Sequence, residues 1–209
     1  LGDGCLSKYN RKDRTNPTYC TLFTGHTHDL PYYVDTLRPI MNRLYDVSGY
    51  MQKRKHMQCI VLVTTAKNVF DSLSSLGCPI GVKSNLKIPS QILDNNNLAI
   101  CCVRGIFDTD GTVYNRYSKQ YPNHAKHYNY KVVQIKMKEQ FLIMQIKHIL
   151  NRNGIKTTKI GMNNGAYVVR ITEQISVQRF FSVFNPSNKY HTERYLNVSR
   201  APTSQGPIA

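Results

Sequence analysis

One order of elements occurs twice along this chain, and that order limits the fold more than any other feature. In the second half, residues 100–107 form an apolar run broken by Arg104 and Gly105. Asp108-Thr109-Asp110-Gly111 ends it, with Gly111 as a helix stop. Residues 112–117 read as a strand, and 118–127 as a basic loop containing Pro122. Residues 128–137 then alternate: Val133, Ile135 and Met137 on one face, Tyr130, Gln134 and Lys136 on the other. Such alternation marks a sheet with one buried and one wet face. Residues 139–153 carry Leu142, Ile146, Ile149 and Leu150 at helical spacing, and Gly154 stops them. Residues 156–162 and 166–172 flank Asn164-Gly165, a hairpin turn. Residues 174–184 read as another helix, stopped by Asn185-Pro186.

The first half repeats this order. Residues 5–9 and 18–24 read as strands around a basic loop with Arg11, Lys12 and Arg14. Residues 30–44 read as a helix with Pro31 in its first turn and a kink at Pro39. A hairpin of 48–53 and 58–64 turns through Arg54-Lys55-His56, and a helix over 66–76 stops at Gly77. Asp3-Gly4 opens this half as Asp110-Gly111 opens the other. The expectation is an α+β protein of two pseudo-symmetric αββαββα repeats. Residues 1–98 form the first and 99–196 the second; 197–209 form a tail without periodicity.

Charge narrows the partner. The 209 residues hold 28 Lys and Arg against 12 Asp and Glu, a formal net charge of +16. Each basic group near a phosphate releases condensed counterions, so such an excess points to nucleic acid. No apolar run approaches the roughly 18 residues of a membrane span, and no signal peptide opens the chain, so a soluble intracellular protein is expected. The six cysteines form no C-x-x-C pair, and neither His26-Thr27-His28 nor His124 with His127 has partners at zinc-ligand spacing. Reduced thiols and no zinc are expected.

The wet sheet faces offer hydrogen-bonding side chains that can reach bases in a major groove. The candidates are Lys8, Tyr9, Arg11, Arg14, Lys53 and Lys55 in the first repeat. Tyr114, Arg116, Gln134, Lys136, Lys159 and Arg170 are those of the second. A duplicated unit facing a polyanion fits a quasi-symmetric duplex.

An Asp-Gly at a helix end is commonly a cap, but its context here is specific. Val103-Arg104-Gly105-Ile106-Phe107-Asp108-Thr109-Asp110-Gly111 resembles the signature of the LAGLIDADG homing endonucleases, and Leu1-Gly2-Asp3-Gly4 resembles the tail of a first copy. Gly81-Val82-Lys83 with Lys87-Ile88-Pro89, and Asn185-Pro186 with Lys189, resemble segments that close the two repeats in that family. Only Leu1 and Gly2 precede Asp3, so the resemblance implies a first signature helix of which most is missing from these residues. Either the gene was cut short or the natural chain starts earlier.

The resemblance implies a function. Each repeat would contribute a curved antiparallel sheet, half of a DNA-binding saddle. Asp3 and Asp110 would meet at the pseudo-two-fold axis and hold Mg²⁺, with Mn²⁺ as a substitute, and the chain would cut both strands of a long site, leaving short 3′ overhangs. Lys83 and Lys189, each a few residues after a proline, would be the basic catalytic groups, with Lys87 and Lys138 as runners-up. Asp108 would support the helix end. The protein would act as a monomer if its first helix is present, encoded in a mobile intron or free-standing. The alternatives are an RNA-binding intron maturase of the same fold and the nuclease domain of an intein.

Overall fold

The computed structural model describes residues 2–13, 15–54, 57–119 and 127–197. Arg14, Lys55 and the tail from 198 onward lie outside them, as does most of the basic loop around Pro122. The first half runs β1 (Gly4–Tyr9), β2 (Thr18–His26), α1 (Leu30–Tyr32), α2 (Arg38–Tyr45), β3 (Tyr50–Lys53), β4 (Cys59–Thr64) and α3 (Lys67–Ser75). After a connector holding the single turn α4 (Ser90–Leu93) come α5 (Asn96–Asp110), β5 (Gly111–Lys119), β6 (His127–Met137) and α6 (Gln140–Arg152). The hairpin β7 (Gly161–Asn163) and β8 (Ala166–Ile171) follows, then α7 (Gln174–Phe184) and α8 (Lys189–Leu196). The strands form two four-stranded antiparallel sheets with the same topology, β1-β2-β4-β3 and β5-β6-β8-β7. The α+β architecture of two repeats expected from the sequence is the one observed.

Local chemistry explains the element ends. Asn95 caps α5, its side chain accepting from the backbone N–H of Asn97 and Leu98 at 3.0 and 3.2 Å. Asn164 and Gly165 both adopt positive φ, 48° and 70°, as the tight turn between β7 and β8 requires. A wide π-helical turn, Tyr33–Leu37, separates α1 from α2 just ahead of Pro39. Proline has no N–H to donate and crowds the carbonyl four residues back, so the helix loosens there. Two short helices, α4 and α8, were not anticipated: both follow prolines at Pro89 and Pro186, where the sequence signals a break.

The main core belongs to the second half. Val103, Ile106 and Phe107 of α5 pack on Val113, Val133, Ile135, Val169 and Ile171 of the sheet, and α6 and α7 add Leu142, Ile146, Ile149, Phe180 and Phe184. All of these are essentially fully buried, so each contributes roughly 1.5–3 kcal/mol of transfer free energy. The first half has a smaller cluster, Tyr32, Tyr33, Met41, Ile60 and Leu62, on the helix side of its sheet.

Candidate active site and sheet faces

Asp110 is the last residue of α5, and β5 starts at the next residue with no loop between. Gly111 makes this possible. A Cβ there would lie 2.2 Å from the Phe107 ring and 2.4 Å from its carbonyl oxygen, so no larger residue fits the turn. Gly2 runs equally close to the same helix end. A Cβ on Gly2 would meet Thr109 Oγ1 at 2.0 Å and Asp110 Oδ2 at 2.6 Å. Asp3, the next residue, is thereby held beside Asp110, and its carbonyl accepts from the Thr24 N–H at 3.3 Å.

Burial raises both carboxylates. Burial pushes the Asp3 carboxyl from its usual 3.8 up to about 7, Asp110 adds to the rise and Lys83 opposes it. Burial also raises Asp110, against the Thr109 hydroxyl, which donates to its Oδ2 at 3.0 Å, and against Lys83. Lys83 donates to the carbonyl of Gly2 and so stands over the pair. It lines, with Gly2, Asp110, Lys136, Lys138 and Glu139, a cleft of about 350 Å³. Glu139 accepts from the Asn85 N–H at 3.2 Å and ties the Lys83 segment to the end of β6.

The structure therefore brings Asp3, Asp110 and Lys83 together, with Lys136 and Lys138 on the Asp110 flank. Lys189 is not among them. Its Nζ lies 2.9 Å from Asp35 in an exposed ion pair. Lys87 is exposed beside Ile88, whose backbone N–H and carbonyl are both held by Gln145. Asp108 supports the helix end: its carboxylate accepts from the N–H groups of Ser187 and Asn188 at 3.0 and 3.1 Å. A junction that the sequence does not reveal lies next to it. The buried Asn188 amide donates to Asp29 Oδ1 at 2.8 Å and to the Asp108 carbonyl at 2.9 Å, bridging the two halves.

Strand register sorts the other candidates by face. In the second sheet Val133 pairs with Ile171 toward the helices, so Thr112, Tyr114, Arg116, Gln134, Lys136 and Arg170 share the outer face. Arg170 Nε donates to Gln134 Oε1 at 2.8 Å, and Lys136 Nζ lies 3.4 Å from Asn163 Oδ1. Lys159 is exposed on the segment entering β7. In the first sheet the expectation fails for two lysines. Lys8 follows Gly4 and Leu6 onto the helix side, its Nζ 5.5 Å from the ring of Tyr19, and Lys53 pairs with Ile60 on that same side. The cause is strand parity, since successive side chains point to opposite faces. Tyr9 does face outward, and Arg11, in the β1–β2 turn, pairs with Asp13 at 3.3 Å.

Could this centre hold a metal? Among the described residues no group of three or more His, Cys, Asp or Glu side chains converges. Two adjoining carboxylates, both raised by burial, are nevertheless a site short of positive charge, and Mg²⁺ needs only one or two protein carboxylates beside water and phosphate oxygens. The residues fit such an ion on condition that a phosphate completes its shell.

Residues 97–185 match the family model described as a LAGLIDADG-like domain. That match lies within the second half of the chain. Among solved structures it is similar to mesophilic variants of the homing endonuclease I-DmoI, with 19% identity, a TM-score of 0.61, and 88% of this chain and 89% of that chain covered. I-DmoI in complex with DNA and Mn gives 19% identity and a TM-score of 0.60 over the same shares. A lysine-to-alanine variant of I-SmaMI gives 10% identity, a TM-score of 0.63, and coverage of 93% and 85%. The likeness is one of fold, and it extends over both halves of the chain. No curated protein matches the chain.

Proposed function

We propose that this chain is a metal-dependent endonuclease that cuts both strands of duplex DNA at a long, quasi-symmetric site, leaving short 3′ overhangs. Residues 1–98 would act as the first repeat and 99–196 as the second, inside the cell. One observation carries the reading: two carboxylates from equivalent points of the two halves, Asp3 and Asp110, adjoin where the two sheets begin. A maturase that only binds RNA has no need of that pair. The I-DmoI structures described as holding DNA with Mn, Ca or Mg support a divalent ion at such a fold.

In this reading Asp3 and Asp110 hold Mg²⁺, or Mn²⁺ in its place. Such an ion, when bound, would supply Lewis acidity for activating water and for stabilising the leaving 3′ oxygen. The chain's own residues do the rest. Lys83, placed over the carboxylate pair, sets a positive charge where the phosphate gains negative charge, and so stabilises the transition state more than the ground state. Lys136 and Lys138 line the same cleft and hold the backbone against it. Thr109 fixes the Asp110 carboxylate by its hydroxyl. The outer sheet faces grip the flanking duplex.

The test is cleavage of a plasmid library carrying random inserts in Mg²⁺, compared with Ca²⁺ and with Asp110→Asn. Linear product in Mg²⁺ alone, lost in the variant while binding in Ca²⁺ persists, supports the reading. Binding without any cleavage would move the protein to the maturase class.

A further inference from the structure

The two outer sheet faces differ in chemistry. The second carries three cations in its strands, Arg116, Lys136 and Arg170, beside Gln134 and Asn163 and around the buried Val132 and Val168. The register gives the first sheet a different outer face: Cys5, Ser7 and Tyr9 from β1, Thr18, Cys20, Leu22, Thr24 and His26 from β2, Tyr50 and Gln52 from β3, Cys59, Val61 and Val63 from β4. No Lys, Arg, Asp or Glu is among them. Val61, Val63 and Cys20 form a buried floor, with Leu22 and Cys59 packed on it. Tyr9 and Tyr50 stand out from the same face, 47% and 50% exposed.

Resting on the reading above, we infer that this face recognises the thymine methyl groups of one half-site, while the second sheet reads the other half through hydrogen bonds. Placement supports a duplex as the occupant. β1 starts directly after Asp3 and β5 directly after Asp110, so a duplex crossing the carboxylates continues onto both sheets. The rim of the apolar face is cationic: Arg11 and Lys12 are exposed in the β1–β2 turn, Arg54 in the β3–β4 turn. An apolar centre inside a cationic rim matches a major groove, whose floor shows methyl groups and whose edges carry phosphates. Arg116 and Arg170 can each meet guanine with two hydrogen bonds, and Gln134 can do so with adenine. Leu22, Tyr9 and Tyr50 have no such code, but apolar contact distinguishes thymine from other bases by its methyl. The consensus should therefore split into a guanine- and adenine-defined half and a thymine-defined half.

The experiment selects bound sequences from a pool of random duplexes in Ca²⁺. Arg170→Ala and Tyr50→Ala each assign one half, by relaxing preferences in that half alone. Thymines are then replaced by deoxyuridine in one half at a time. Loss of a contacted methyl should weaken binding roughly four-fold in the Tyr50 half, with no change in the Arg170 half. Equal tolerance of uracil in both halves overturns the inference, as does a Tyr50 half defined by guanine or a pool without any consensus. Cleavage of the same pool in Mg²⁺ is scored separately. A methyl-dependent half in a pool that stays uncut upholds the thymine contacts and removes the nuclease reading.

Discussion

Lys189 stands against Asp35 at 2.9 Å, while Lys83, its counterpart in the other half, stands over Asp3 and Asp110. The cations of the centre are thus unequally distributed. An exposed ion pair contributes roughly 0–1 kcal/mol, so Asp35 holds Lys189 weakly.

Lys83→Met should therefore slow cutting roughly 10²-fold with little change in binding, whereas Lys189→Met should leave the rate nearly unchanged. Lys138→Met should slow the strand served by the Asp110 flank more than the other. Single-turnover assays with separately end-labelled strands measure this. Equal slowing by Lys83→Met and Lys189→Met would return the two lysines to equivalent roles.

The Asp3 carboxyl provides a pH test. Its folded value, about 7, lies above the ordinary 3.8 because of burial and Asp110. The fold therefore favours the protonated form. The stability this gives is full below 3.8 and is lost as pH rises through about 7. Thermal melts should show Asp3→Asn stabilising the protein at alkaline pH and not at acid pH. Mg²⁺ or Ca²⁺ should raise Tm at alkaline pH in the parent and much less in the variant. A metal effect of the same size in Asp3→Asn would remove this residue from the site.

Asn188→Ala leaves Asp29 Oδ1 and the Asp108 carbonyl without the donor they share. An unsatisfied buried polar group costs roughly 1–3 kcal/mol, so urea unfolding should shift by that order. Asn188→Asp should cost more, since it sets a third carboxylate beside Asp29 and Asp108. A melt unchanged by Asn188→Ala would mean that the halves are joined elsewhere.

Native-state hydrogen exchange should distinguish the halves. The cluster around α5 is extensive, and the one on the helix side of the first sheet is small. Local stability follows buried apolar contact, so amides of β1–β4 should exchange before those of β6 and β8. Equal protection would show one cooperative unit.

Binding should fall steeply with salt. If about eight phosphates are gripped, the log–log slope should be near −7. A slope shallower than about −3 would deny a duplex-tracking surface.

The sequence showed most of this architecture because alternation and helical spacing are strong in the second half. Leu142, Ile146, Ile149 and Leu150 were legible as a buried stripe, and all four are fully buried. The centre was legible through the Asp-Gly pairs at Asp3 and Asp110. Three features were not. Lys8 and Lys53 sit near strand ends, where a one-residue difference in the start of pairing reverses the face. The position of Lys189 depends on Asp35, far away in sequence and on a π-helical turn that no propensity signals. The Asp29–Asn188 contact joins residues whose types are common in turns, so only the folded chain distinguishes it.

The alternation along β6 has a consequence for retargeting. Gln134 and Lys136 face outward between Val133, Ile135 and Met137, which face the core. Exchanging the outward set would rewrite contacts at one end of the bound site and leave the packing alone. Buried residues on the outer faces lack that freedom: Val132 and Val168 in the second sheet, Val61 and Val63 in the first. A charged replacement there would have to be desolvated within its own sheet. Directed evolution of specificity should accumulate its accepted changes at Gln134, Lys136 and Arg170, leaving Val61, Val63, Val132 and Val168 nearly constant, and a single-residue insertion inside β6 should end the lineage outright.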